Sequence, residues 1–163
     1  DIVEEIVRFV GIDNIPPKAF IFTEYNRLTD DYIAYKKKQN YRHKSAFSGF
    51  YESIHFVFDE KIVLQKYGFE TIDENLELLN PIVKTLDTLR TTLLTGLLKA
   101  TSHNAKNGYD SIKLFEIGSL FNSNREESMK LAFVFSGTIE KESLSNTGKP
   151  AKIDFAHFTQ QIS

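Results

Sequence analysis

An α+β domain is predicted for the 163 residues on three observations. Ser111–Phe121 and Met129–Ile139 are long segments with apolar residues on both alternating faces, as strands covered above and below require. Arg90–Gly108 places Leu93, Leu94, Leu97, Leu98 and Thr101 on one helical face and ends at a glycine. Thr29–Phe47 reads as a long polar helix, with Thr29 as N-cap and Asp30 and Asp31 where the helix dipole favours acids.

Between these anchors the chain divides in order. Residues 1–10 carry Ile2, Val3, Ile6, Val7, Phe9 and Val10 at helical spacing, opposite Asp1, Glu4, Glu5 and Arg8, and Gly11 is the stop. Asp13, Asn14, Pro16 and Pro17 follow as an extended or turning connection, because the proline rings fix φ and bias the residue before them away from helix. A domain boundary is expected there, dividing 1–15 from 16–163. Glu52–Phe58 reads as a strand, Glu60–Gly68 as a short helix and Leu76–Ile82 as a short apolar strand ended by Pro81. Asn122–Ser128 is polar enough for a hairpin connection. Glu142–Lys152 reads as a surface loop, and Asp154–Ile162 as the start of a helix.

Composition sets bounds on chemistry. The chain is 41% hydrophobic and 26% charged, with net charge −2, which suits one folded domain and argues against nucleic-acid binding by the whole surface. It has no cysteine, so disulfides, thiolate metal sites and thiol nucleophiles are excluded within these residues, and a reducing compartment is compatible. Neither a secretory core nor an apolar run of membrane-spanning length occurs. The only methionine is Met129, so a piece of a longer polypeptide is expected.

Familiar catalytic patterns fail on their residues. His43, His55, His103 and His157 make no HExxH or other close metal pair. Gly148-Lys149 resembles the end of a P-loop, but Ser143 stands where its first glycine belongs and Pro150 fills the Ser/Thr position. No G-x-S-x-G elbow occurs. Three features keep more than one reading. Lys36–Lys38 with Arg42, Lys44, Tyr35 and Tyr41 is a solvated helix face or a surface for RNA phosphates and bases. Glu116, in the middle of an apolar strand, is a satisfied structural carboxylate, a strand-edge residue or a catalytic group, since unpaired burial costs several kcal/mol. Asp1, Glu4 and Glu5, at i, i+3 and i+4, are ordinary first-turn acids or converging oxygen ligands for a hard cation.

The segments "DIVEEIVRFVGIDNIP", "SGFYESIHFVF", "LNPIVKTLDTLRTTLLTGLLKATSHN", "LFEIGSLF" and "LAFVFSG" occur in the order and spacing of the bacterial phenylalanyl-tRNA synthetase β-subunit family. "NP…LRTTLLTGLL" followed by "FEIG" is the most specific match. The resemblance implies that residues 1–15 close a preceding small domain, and that 16–163 form most of a degenerate class II aminoacyl-tRNA synthetase-like domain, an antiparallel sheet flanked by helices.

It further implies a noncatalytic structural core, with no catalytic or cofactor-binding residue of its own. This core would pack against a catalytic, ATP-binding α-subunit in a cytoplasmic (αβ)2 complex that charges tRNA-Phe. Where active class II enzymes place an α-phosphate arginine, this chain has Asn122, and a neutral amide cannot replace a bidentate guanidinium. Asp1, Glu4 and Glu5 match three of four ligands of a Mg2+ site shared with the α-subunit; the fourth, an Asp six residues before Asp1, is expected upstream, so the site is expected to be incomplete within these residues. The chain departs from the family in lacking tryptophan and in reading "IDFAHFTQQIS" where "DFFDLKG"-like residues are common. Two rival readings remain: a ligase fragment that itself binds ATP through Arg90 and Glu116, and a tRNA-binding module built on Lys36–Lys38.

Overall fold

The computed structural model describes residues 2–20, 28–69, 74–140, 143, 144, 146 and 150–162. Helix α1 (Ile2–Val10) ends at Gly11, whose φ of 83° is open to glycine, and is followed by a 3-10 turn over Ile12–Asn14. Its apolar stripe is bare among the described residues: Phe9 is 98% exposed and Ile2 79%. Helix α2 (Asp30–Phe47) starts where the sequence places it, with the Thr29 hydroxyl accepting from Tyr32 N. Only Ser45 of α2 is buried, in keeping with its polar sequence.

Strand β1 (Tyr51–Glu52) runs parallel to the long central strand β4 (Ser111–Phe121), which pairs antiparallel along its full length with β5 (Glu127–Gly137). The sheet is therefore mixed, β1-β4-β5, rather than purely antiparallel. A second, two-stranded antiparallel sheet joins β2 (Phe58–Asp59) to β3 (Thr88–Leu89). Helices α3 (Lys61–Lys66), α4 (Leu94–Lys106) and α5 (Phe155–Ile162) complete an α+β fold. The core is small and mostly leucine and phenylalanine: Phe50, Phe115, Leu64, Leu76, Leu93 and Leu97 are buried, and Phe50 meets Phe133 edge-on at 5.0 Å.

Four expectations need correction. The strand expected over Glu52–Phe58 is interrupted. Ser53 N makes its bond to Phe115 O, and the chain then leaves β4 and joins the second sheet at Val57, whose carbonyl accepts from Arg90 N. Leu76–Ile82 forms no strand. A 3-10 turn covers Glu74–Leu76, a single bridge links Glu77 to Thr88, and the loop beyond presents Leu79 and Ile82 to solvent, uncovered among the described residues.

Helix α4 begins at Leu94, not Arg90, because Thr88–Leu89 pairs as β3 and Arg90 is drawn into the interior. The Thr92 hydroxyl then accepts from Leu94 N. The β4–β5 connection is shorter than Asn122–Ser128, since pairing already begins at Phe121–Glu127. Five of the eleven residues of the expected loop Glu142–Lys152 lie outside the described residues, and Lys152 bridges to Thr138. Helix α5 forms as expected, with Asp154 Oδ1 accepting from His157 N at 2.8 Å.

Candidate functional site

Glu116 lies at the centre of β4 and is 2% exposed. Two partners satisfy it. Arg90 Nη1 donates to Oε1 at 2.6 Å, and Oε2 lies 2.7 Å from His55 Nδ1. A neutral His55 then carries its proton on Nδ1, leaving Nε2 to accept from the Ser53 hydroxyl at 3.1 Å. Burial alone would raise the Glu116 pKa. The hydrogen bonds from His55 and Arg90 outweigh it and hold the carboxyl below the usual glutamate range.

Arg90 is itself 5% exposed and further anchored: Nε donates to Ser119 O at 2.8 Å and Nη1 also reaches Phe56 O at 3.3 Å. The lock joins the crossing segment 53–57, the end of β3 and the middle of β4.

Two glycines make room for it. A Cβ on Gly118 would stand 2.1 Å from Arg90 Nη2, and one on Gly96 would stand 2.6 Å from the His55 ring. These glycines inside a strand and a helix were the signal in the sequence for a close approach. His55 and Ser53 carried no signal of their own.

Beside the lock lies a cavity of about 690 Å3, lined by His55, Phe56, Arg90, Leu93, Thr95 and Lys99 among others. Its cations are already paired. Lys99 Nζ donates to Glu60 Oε1 at 2.9 Å and lies 3.6 Å from Asp59. Burial lowers the Lys99 pKa, but these two carboxylates more than reverse the effect and leave it raised. Buried Asp59 also accepts from the Thr95 hydroxyl and from Glu60 N.

Asn122, at the tip of the β4–β5 hairpin, engages both ends of its amide within the turn. Its Oδ1 accepts from Asn124 N at 3.0 Å and Glu126 N at 2.9 Å, while Nδ2 donates to Glu126 Oε2 at 2.7 Å. Arg125, at φ 60°, folds back to donate to the carbonyls of Asn75 and Glu77. Asn122→Ala should therefore lower stability by about 1–2 kcal/mol, the scale of losing a side-chain cap, read as a shift in urea midpoint with unchanged slope.

The remaining candidates stand apart. Lys36 and Lys37 are exposed, with Lys36 Nζ 5.6 Å from the Tyr32 ring centre, but Arg42 is withdrawn into a 2.8 Å ion pair with Glu52. Glu4 and Glu5 point into solvent from α1, within 3.8 and 3.6 Å of Arg8. Their carboxylate oxygens suit a hard cation, and an exposed arginine can yield them. Asp1 lies outside the described residues, and no group of three or more His, Cys, Asp or Glu converges among those described.

A family model described as the phenylalanyl tRNA synthetase beta chain CLM domain matches residues 27–162, which include the whole lock, the cavity and the hairpin. The chain belongs to this family. The phenylalanine–tRNA ligase β-subunit of Sulfurimonas denitrificans is 71% identical over all 163 residues, and that of Campylobacter jejuni 46% over 162. The Helicobacter pylori β-subunit is 45% identical over 163 residues.

The chain spans about a fifth of each of these relatives, 21% of their length. A pyrrolysyl-tRNA synthetase structure from Desulfitobacterium hafniense aligns over 62% of this chain and 38% of its own, at TM-score 0.46 and 20% identity. No helix among the described residues is long and apolar enough to cross a membrane.

Proposed function

We propose that this CLM domain is a noncatalytic assembly core. In this reading it belongs to a β-subunit of phenylalanine–tRNA ligase and holds a catalytic α-subunit within a cytoplasmic (αβ)2 complex that charges tRNA-Phe with ATP. Its fold is then a degenerate class II synthetase domain, residues 1–15 close a neighbouring small domain, and ATP is bound by the α-subunit.

The observation that carries the noncatalytic part is the engagement of Arg90, Glu116 and Asn122, the groups that an ATP-binding reading would use. Arg90 and Glu116 neutralise each other out of solvent, and the Asn122 amide is consumed by its own turn. ATP contact through Arg90 and Glu116 would require breaking a buried ion pair, a cost of several kcal/mol. An assembly role is supported by what the same lock displays. Ser53 and His55 turn inward, while Ile54 and Phe56 between and beside them are 83% and 75% exposed. Apolar side chains held rigidly outward are the form that interface anchors take.

Mg2+ would be held by Asp1, Glu4 and Glu5 together with ligands of the α-subunit, supplying charge that joins the two chains. Glu4→Gln with Glu5→Gln should then make subunit association independent of added Mg2+.

The decisive test is co-expression of the full-length β chain with its α-subunit. A stable complex is expected, and Ile54→Asp with Phe56→Asp should weaken it at least tenfold while leaving the β chain's circular dichroism unchanged. Phenylalanine-dependent ATP–pyrophosphate exchange by the isolated β chain would overturn the noncatalytic reading. Steeply salt-dependent tRNA binding, abolished by replacing Lys36–Lys38, would favour the RNA-module alternative.

A further inference from the structure

Asn107 is the only asparagine in the sequence followed by glycine. It caps the C-terminus of α4, and Gly108, at φ 84°, turns the chain toward β4. The Asn107 side-chain amide donates to His103 O at 2.8 Å, and Gly108 N donates to Ala105 O at 3.1 Å. Both residues are exposed, and beyond the adjoining residues nothing among the described residues comes within 4 Å of where a Gly108 Cβ would stand. We infer that Asn107–Gly108 is a self-modification site, at which the protein deamidates through a cyclic imide.

The chemistry needs only solvent. Gly108 N, losing its proton, attacks Asn107 Cγ; a C–N bond forms, the Cγ–Nδ2 bond breaks and ammonia leaves. Water then opens the succinimide at either carbonyl, giving aspartate or isoaspartate. A side chain on the following residue ordinarily hinders this attack, and glycine has none. The two hydrogen bonds restrain the attacking nitrogen and the leaving amide, but they belong to the last turn of a helix, which opens at little free-energy cost. The fold therefore slows the reaction without preventing it.

The product alters a junction that tolerates little. A carboxylate at 107 meets the negative end of the α4 dipole and can no longer donate to His103 O. Isoaspartate also lengthens the main chain by one carbon, three residues before Asp110. The Asp110 carbonyl accepts from Thr138 N at 2.8 Å, and it lies so near Gly137 that a Cβ there would stand 1.8 Å away. Conversion at 107 thus displaces the contact between the start of β4 and the end of β5.

The test is incubation of the intact full-length β chain in mildly alkaline buffer, followed by tryptic mapping of Asn107–Lys113. Isoaspartate is read with a purified isoaspartyl carboxyl methyltransferase and labelled S-adenosylmethionine. Asn107 should convert ahead of Asn122 and Asn124, at a rate within about tenfold of that in urea. Asn107→Gln should abolish the methyl-accepting signal at this peptide, and Gly108→Ala should slow it. Conversion of Asn122–Ser123 before Asn107, or conversion of Asn107 only in urea, would overturn the proposal.

Discussion

Glu116→Ala lowers the unfolding free energy by about 3–5 kcal/mol, the cost of leaving one member of a buried ion pair without its partner. Arg90 stays 5% exposed with its charge uncompensated, and His55 loses the acceptor that fixes its ring. Removing both charges, as in Arg90→Met with Glu116→Leu, recovers only part of this. Arg90 also satisfies the carbonyls of Ser119 and Phe56, which a thioether cannot do.

The effect is pH-dependent in a defined direction. Glu116 has a folded pKa held below its unfolded value, so its contribution is fully present above the ordinary glutamate range and is lost as pH falls through the depressed value. The stability difference between the native chain and Glu116→Gln should therefore shrink as acid titration passes below that range. Urea denaturation of both proteins at several pH values measures it. An unchanged difference across the acid limb would show that the carboxyl titrates alike in the folded and unfolded states, and a growing one that its folded pKa is raised.

Gly118→Ala is expected to cost about 2–4 kcal/mol, between ordinary overpacking and loss of the lock. A methyl group at this position overlaps Arg90 Nη2 and also stands 3.1 Å from Glu116 Oε1 and Leu93 Cδ2. The guanidinium cannot move aside without giving up Ser119 O, Phe56 O or Glu116. Because the methyl acts through the arginine, the two substitutions are coupled. Gly118→Ala made in an Arg90→Met background should cost at least 1 kcal/mol less than in the native chain, a departure from additivity expected of residues in contact. Equal costs in both backgrounds would place the strain elsewhere.

The sequence carried the larger periodic elements well. Leu93 and Leu97 mark the buried stripe of α4, Thr29 caps α2, and the alternation in β4 and β5 places them as paired strands. The two short pairings, β1 with β4 and β2 with β3, were hidden because each is two residues long, below the length at which alternation can be seen. Arg90 was drawn into the helix for the same reason, since in sequence it simply precedes a leucine-rich run. Glu116 announced a need for partners, but their identity depended on a pairing 61 residues apart with His55, which periodicity cannot supply. The first-turn acids Glu4 and Glu5 remain solvent-facing, with Asp1 outside the described residues, so their metal reading rests on family resemblance.

Arg90 has one more consequence, for self-recognition between chains. Strand β1 pairs with Leu114 and Phe115 on its side of β4, and no further strand pairs on that side toward Phe121 among the described residues. There, Arg90 O accepts from Phe121 N at 3.1 Å and its guanidinium occupies Ser119 O. One arginine thus stands in for a missing strand, taking up backbone groups that would otherwise template a foreign β-segment. The same residue that neutralises Glu116 thereby guards an apolar strand against aggregation.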